Sequence, residues 1–302
     1  MTVAPVCVFA FRRPEHTRRT LNALAASPLA DQTPLTVFVD GPRNQDDVDP
    51  VRQVVDIAKA QTGFASVNVL ARRENAGLAT SIQDGVSRMM CDHGRAIVVE
   101  DDIVTSPAFL SYMNAALDRY ADTPDVWHVA GYNEPIAANR DRRGATFWRF
   151  MSCWGWASWA DRWSHFERDP EELISHFTDA DIQRFNLDGA QDFWGQVLAN
   201  QRGDIRTWAV FWYATIFRNN GLCLSPHFSY AENIGFDGSG THGFKIDAFS
   251  QESLNQDMTP PLPDLIAEDA VALERLRGYY TYRPNRLQRL KRKWGRLVGR
   301  LT

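Results

Sequence analysis

The chain has 302 residues, 44% hydrophobic and 23% charged, with a formal net charge of −4; it can bury a sizeable core, and wholesale disorder is excluded. No stretch approaches the roughly 20 apolar residues that span a bilayer, and MTVAPVCVFAFRRPEH lacks the basic-then-apolar order of a secretory signal, so a soluble, cytoplasmic protein is expected. Residues 283–302 hold eight Lys or Arg and no acid, leaving −12 on the rest, and an acidic body argues against general nucleic-acid binding.

Along the chain, PVCVFAF is a short apolar run, followed by HTRRTLNALAAS with apolar residues at helical spacing. LTVFVD is a second apolar run ending in an acid, DPVRQVVDIAKAQ a second helix, VNVLARR a third strand, and SIQDGVSRMMCDHG a helix closed by Gly94. AIVVEDD is the fourth strand. This alternation predicts βαβ units, an α/β fold and a mostly parallel central sheet flanked by helices. Ligands of such sheets bind beyond the carboxyl ends of the strands. Arg12 and Arg13 follow the first strand, Asp40 the second, ENAGLA the third and Glu100, Asp101 and Asp102 the fourth.

The acids of AIVVEDDIVTSPAFL admit two readings. One is a polar strand exit, with Ser106 capping a helix through PAFLSYMNAAL that has Pro107 in its first turn. The other is a divalent-cation site, because clustered carboxylates are hard oxygen ligands suited to Mg²⁺ or Mn²⁺. Beyond residue 145 the alternation gives way to FWRFMSCWGWASWADRW, which holds five of the ten Trp. Trp159 and Trp163, four apart, are expected in the core. Cys7, Cys91, Cys153 and Cys223 are dispersed and read as reduced thiols, with neither the pairs of a zinc site nor the density of a disulfide framework.

Several ordered motifs together resemble the nucleotide-diphospho-sugar transferase fold of the GT-A glycosyltransferases. PVCVFAFRRPEHTRRTLNAL resembles the family's opening strand and helix, VFVDGPR its second strand end, and ENAGLATSIQDGV the segment before its metal motif. VVEDDIVTSPAFLSYMNAAL is similar to the acidic metal motif and following helix in relatives of N-acetylglucosaminyltransferase I. SCWGWASWADRW and NIGFDGSGTH resemble segments of bacterial sugar transferases that build surface polysaccharides. The resemblance implies a single domain over residues 1–282, with a nucleotide-binding half to about 125, an acceptor-side half beyond it, and a basic tail over 283–302.

It also implies roles. Asp102 would hold Mn²⁺ or Mg²⁺, Asp101 would approach the ribose or a metal-bound water, and Glu100 would face the donor sugar. Asp40 would accept from the base or ribose, or else simply form the DGPR turn. Arg13 would face the base or diphosphate, with Arg12 an equal alternative. Asn75 and Gly77 would bring backbone close to the donor or merely shape a loop. His242 would complete the metal shell or bind a diphosphate oxygen, in a Gly-rich loop shared with Asp237. Trp154, Gly155 and Trp156 would form the wall for the sugar or acceptor, since aromatic faces suit sugar rings.

An inverting transferase needs a base opposite the leaving group. Relatives place an Asp after the Trp of the segment matching IRTWAVFWYATIF, but here Ala209 follows Trp208. Asp204, Asp237, Glu134, Asp192 and Asp161 are the candidates, and a retaining mechanism stays open beside inversion. The partners implied are a nucleotide sugar donor, a UDP-sugar first, and a glycan or lipid-linked glycan acceptor. The tail RPNRLQRLKRKWGRLVGRLT sets Leu287, Leu290, Trp294, Leu297 and Leu301 near one helical face with basic residues around it. That pattern suits either an anionic membrane surface at the inner face of the plasma membrane or packing on the body. Two rivals are a sugar nucleotidylyltransferase, expected to carry a glycine-rich loop that AFRRPEHT lacks, and a non-catalytic sugar- or nucleotide-binding module.

Overall fold

A computed structural model describes residues 3–136, 143–237 and 253–281. The apolar runs of the first third form parallel strands β1 (Val6–Ala10), β2 (Pro34–Val39), β3 (Ser66–Ala71) and β4 (Arg95–Glu100). Between them lie helices α1 (Pro14–Ala25), α2 (Gln45–Ala60) and α3 (Leu78–His93). Helix α2 begins earlier than DPVRQVVDIAKAQ suggested, because the Asn44 side chain accepts from the Asp46 N–H at 3.0 Å and caps it there. Gly94 closes α3 in the left-handed conformation, φ 75°.

Past β4 a short strand β5 (Ile103–Thr105) precedes α4 (Phe109–Arg119). Ser106 does not cap that helix. Residues 107 and 108 form a turn, the cap position falls on Ala108, and the Ser106 hydroxyl is buried without a hydrogen-bond partner. The remaining elements are β6 (Val126–Ala130), β7 (Ala145–Trp148), β8 (Trp156–Trp159), α5 (Ala160–Trp163), α6 (Pro170–His176), α7 (Asp179–Phe185), α8 (Phe193–Gln201), α9 (Ala209–Arg218), β9 (Leu222–Pro226), β10 (Ala231–Asn233) and α10 (Ala270–Thr281).

The main sheet runs β3-β2-β1-β4-β8-β6-β9-β7, and β10 pairs with β5 in a second small sheet. β1 to β4 are mutually parallel and β6 is parallel to β9, whereas β8 and β7 run antiparallel to their neighbours. The α/β class with a mostly parallel sheet is therefore as the sequence implied. Alternate strand residues serve opposite faces. Cys7, Phe9, Ala96 and Val98 belong to one apolar cluster with residues of α3, α8, α9 and α10, while Val6, Val8, Ile97 and Val99 belong to a second with residues of α1, α2 and α4. Both faces of β1 and β4 are thus covered, which is why these strands read as unbroken aliphatic runs. Trp159 and Trp163 are buried, as expected.

Candidate active site

β1 and β4 are parallel neighbours with Phe9 opposite Glu100, so the acids leaving β4 emerge beside the turn leaving β1. The ladder continues one residue further, the Asp101 N–H donating to the Phe9 carbonyl at 2.9 Å. That directs the Asp101 carboxylate under the turn, where it accepts from the Phe11 N–H at 3.3 Å and from the Arg13 guanidinium. Thr20 of α1 donates to the Asp101 carbonyl at 2.8 Å. The other terminal nitrogen of Arg13 lies 3.0 Å from Asp102 Oδ2. Arg12 turns the other way, to Asp47 at 3.2 Å, so of the two adjacent arginines it is Arg13 that faces the acids.

The segment after β10 closes on Asp102. The Ile234 N–H donates to the Asp102 carbonyl at 2.8 Å, and a 3-10 turn, Gly235–Asp237, follows. A Cβ on Gly235 would overlap Asp102 Oδ2 and lie 3.1 Å from Arg13, so the close approach requires glycine here. Burial first, then Asp102 and Asp101, pushes the Glu100 carboxyl up to about 8, with Arg13 opposing. Burial raises Asp101 too, against the pull of Arg13. Among the described residues three carboxylates therefore face one guanidinium, and the cluster carries more acid than these residues neutralise.

From Gly235 an aromatic run leads across the site. Phe236 meets Trp154 edge-on at 5.5 Å, and Trp154 meets Tyr132 edge-on at 4.5 Å. Trp154 is half-buried, and two residues past Tyr132 stands Glu134, 6% exposed. The Tyr280 hydroxyl of α10 donates to Glu134 Oε1 at 2.5 Å, whereas Oε2 is buried with no hydrogen-bond partner. Burial pushes this carboxyl up to about 7, with the Tyr280 bond working the other way. The Cys153 thiol, driven up chiefly by burial, also feels Glu100, Asp102 and Glu134, so it stands within electrostatic range of both acid groups.

Not every expected residue joins this arrangement. Trp156 is a correction: it is 1% exposed, packed against His128, Trp163, Trp208 and Trp212, and belongs to the core rather than to a sugar wall. Gly155 separates it from Trp154 through a left-handed conformation, φ 69°, and its carbonyl accepts from the Gly131 N–H at 2.7 Å; it shapes the chain and packs on Phe109. Asp40, also buried, accepts four hydrogen bonds, all at 2.9 Å: from the N–H groups of Gly41, Ala76 and Gly77 and from the Asn75 amide. A carboxylate offers about four acceptor positions. Asp40 is therefore filled by the loop it holds, and Asn75 and Gly77 are its partners.

Among the candidate bases, Asp204 is exposed and paired with Arg202 at 2.8 Å in the turn between α8 and α9. Asp192 caps α8 by accepting from the Gly195 N–H at 2.9 Å, and Asp161 pairs with Arg162 at 2.7 Å. Glu134 alone of these four is buried. Asp237 ends the 3-10 turn beside Asp102. His242 and the basic tail lie outside the described residues. Among the described residues no three His, Cys, Asp or Glu side chains form a ready ion site. The donor chemistry nonetheless fits a hard divalent cation, which takes one or two carboxylates and completes its shell from water and substrate phosphate. Tyr280, Phe236 and Tyr132 were not expected; Tyr280 stands 146 residues from the carboxylate it holds.

The sequence matches no family model and no curated protein. Among solved structures, the chain is similar to glucosyl-3-phosphoglycerate synthase from Mycobacterium tuberculosis in complex with Mn²⁺, UDP-glucose and phosphoglyceric acid, at 11% identity and a TM-score of 0.31, over 53% of this chain and 58% of that one. The same synthase with Mn²⁺, UDP and glucosyl-3-phosphoglycerate matches at 12% identity and a TM-score of 0.33 over the same shares. A provisional glucose-1-phosphate thymidylyltransferase from Bacillus anthracis, in complex with a sucrose, matches at 8% identity and a TM-score of 0.37 over 76% of this chain and 89% of that one. The matched region spans little more than half the length of the synthase. Likenesses this distant assign no role to any residue.

Proposed function

We propose that the protein is a metal-dependent GT-A glycosyltransferase that moves a sugar, with inversion, from a nucleotide diphosphate sugar to a glycan acceptor on a lipid carrier in surface polysaccharide synthesis. A UDP-sugar is the favoured donor. The observation that carries this reading is the acid trio at the carboxyl edge of β4, faced among the described residues by Arg13 and joined by the Phe236–Trp154–Tyr132 run to the buried carboxylate of Glu134.

In this reading Asp102, with His242, holds Mn²⁺ or Mg²⁺. Such an ion, when bound, supplies positive charge opposite the departing diphosphate oxygens. Arg13 contributes a fixed charge at the same edge, and Asp101 keeps it aimed there. Glu100, raised by burial, presents a carboxyl to the donor sugar's hydroxyls. Trp154 offers an apolar face to a sugar ring. Glu134 takes the proton from the acceptor hydroxyl; a value near 7 suits a base at neutral pH. The nucleotide-binding half, to about residue 125, then supplies the charges, and the half over 126–282 supplies the wall and the base. Among the described residues no helix is long and apolar enough to cross a membrane; the basic tail would rest on anionic lipid beside a lipid-linked acceptor.

The test is thermal stability with UDP, GDP, CMP and dTDP, each with and without Mn²⁺. Ligand at about 100 times its dissociation constant stabilises by about 2.7 kcal/mol, a shift of a few degrees for a chain of this size. A rise with one nucleotide that needs Mn²⁺ is expected. No rise with any of them would return the acids to a polar strand exit and sink the transferase reading. Ala209 after Trp208 favours the second reading, a binding module without chemistry, which nucleotide binding without sugar transfer would support.

A further inference from the structure

We infer that Tyr280, on the last turn of the C-terminal helix α10, is a positioning residue that holds the Glu134 carboxylate in register for proton removal from the acceptor. The inference rests on the transferase reading above and on the role of Glu134 in it.

The contact is specific in its geometry. Tyr280 donates to Oε1 at 2.5 Å and leaves Oε2 without a partner, though buried. A buried carboxylate oxygen left unpaired is costly, so the arrangement is not one that packing alone selects. One oxygen is fixed and the other keeps its hydrogen-bonding capacity unused. The Tyr280 ring is itself held: it meets Phe150 edge-on at 6.1 Å, and Phe150 stacks on Phe193 at 5.7 Å and meets Tyr213 edge-on at 6.2 Å.

Helix α10 is fixed at its other end as well. Asp269 accepts from the N–H groups of Val271 and Ala272 at 3.0 and 2.9 Å and from the Thr146 hydroxyl at 3.1 Å. Glu268 pairs at 2.8 Å with Arg149, which also pairs at 2.6 Å with Asp188. A donor carried on such a platform keeps its partner within the few tenths of an ångström that proton transfer needs. Within electrostatic reach of Glu134 are Tyr280 from α10 and Cys153 from the segment before β8, with Glu100 and Asp102 also acting on Cys153; Tyr132 and Tyr279 act on Tyr280. Among the described residues these are neutral or acidic, and the bonds that favour the ionised base are that of the Tyr280 hydroxyl and, more weakly, that of Glu134's own backbone N–H.

The experiment uses the full chain as wild type, Tyr280→Phe and Tyr280→Ala. Two things are read: the pH profile of sugar transfer, and the titration of the Glu134 carboxyl by ¹³C NMR, assigned by its disappearance in Glu134→Gln. Tyr280→Phe keeps the ring and loses the hydroxyl. It is expected to move both the acid limb of the profile and the carboxyl titration upward by about one unit, the scale of one hydrogen bond to a charged group. It should also lower kcat with little change in donor KM. A purely structural role predicts that Tyr280→Phe behaves as wild type and only Tyr280→Ala is impaired; that outcome overturns the inference. An unmoved titration in an active Tyr280→Phe overturns it as well. Wild type that transfers no sugar overturns the transferase reading and this role with it, while the titration still reports separately on the contact.

Discussion

Glu134→Gln separates the cost of the buried carboxyl from its use. In the native protein the group titrates near 7, against an ordinary value of 4.5, because burial disfavours its charge. Between those two values the native state binds more protons than the unfolded chain, so stability falls as pH rises from about 4.5 to 7 and is flat with respect to this group above that. The difference of about 2.5 units corresponds to about 3 kcal/mol at 1.36 kcal/mol per unit. Gln keeps an acceptor for Tyr280 and carries no charge. Urea unfolding at pH 5 and pH 8 should therefore show wild type losing up to about 3 kcal/mol more than Glu134→Gln across that interval, while sugar transfer by the variant falls by at least about a hundredfold. Taking the difference between two pH values cancels the cost of the unpaired amide group, which is the same at both. Identical pH dependence in the two proteins would mean that Glu134 titrates as an ordinary exposed glutamate. It would then be neither desolvated nor tuned as a base, and the reasoning would be refuted.

Three further outcomes are expected. Asp102→Ala should abolish the Mn²⁺-dependent part of any nucleotide-induced rise in melting temperature; an unchanged rise would remove Asp102 from the ion's ligands. Trp156→Ala should cost about 3–5 kcal/mol of stability by emptying a core site, whereas Trp154→Ala should spare most of the stability and raise the KM for donor or acceptor. Equal effects of the two on KM in equilibrium-folded protein would contradict the division between core and wall. Removing residues 283–302 should weaken sedimentation with anionic vesicles and leave soluble donor binding intact, and undiminished vesicle binding would take the tail out of the membrane role.

The parallel strands were legible because burial on both faces writes them as aliphatic runs, and helices of ordinary length separate them. The strands that complete the sheet were not. ATFW and WASW are short and aromatic, LCLSP is short and ends on a proline, and β8 inserts antiparallel between β4 and β6, a pairing that chain order does not foretell. Within the site, charges directly after an apolar strand were visible as an anomaly, and Glu100, Asp101 and Asp102 do lie together. Arg12 and Arg13 could not be told apart, since adjacent residues leave a turn in opposite directions and only Asp47 on one side and Asp101 on the other decide between them. Trp154 and Trp156 illustrate a subtler limit. Two residues apart, they would share a face of an extended strand, but the left-handed Gly155 between them breaks the alternation and sends one to the site and the other to the core. A pairing such as Tyr280 with Glu134 has no local signature at all.

The two sides of the site are held by different physics, and this bears on how it would work. The acids at β4 are kept together by ladder pairing and by one arginine, so their mutual repulsion is tolerated rather than cancelled. Glu134 is kept by exclusion from water, with the Tyr280 phenol and its own backbone N–H supporting its charge. The first arrangement favours a ligand that brings positive charge, the second one that brings a hydroxyl. Gly235 is where the two meet, on Asp102 at one end and on the aromatic run at the other. In the proposed reading, a ligand that settled the charge at Asp102 would act on the turn that carries Phe236, and through Trp154 on the aromatic run leading to Glu134. Donor binding would thereby order the acceptor side before the acceptor arrives, and the acceptor's KM should fall when the donor site is filled.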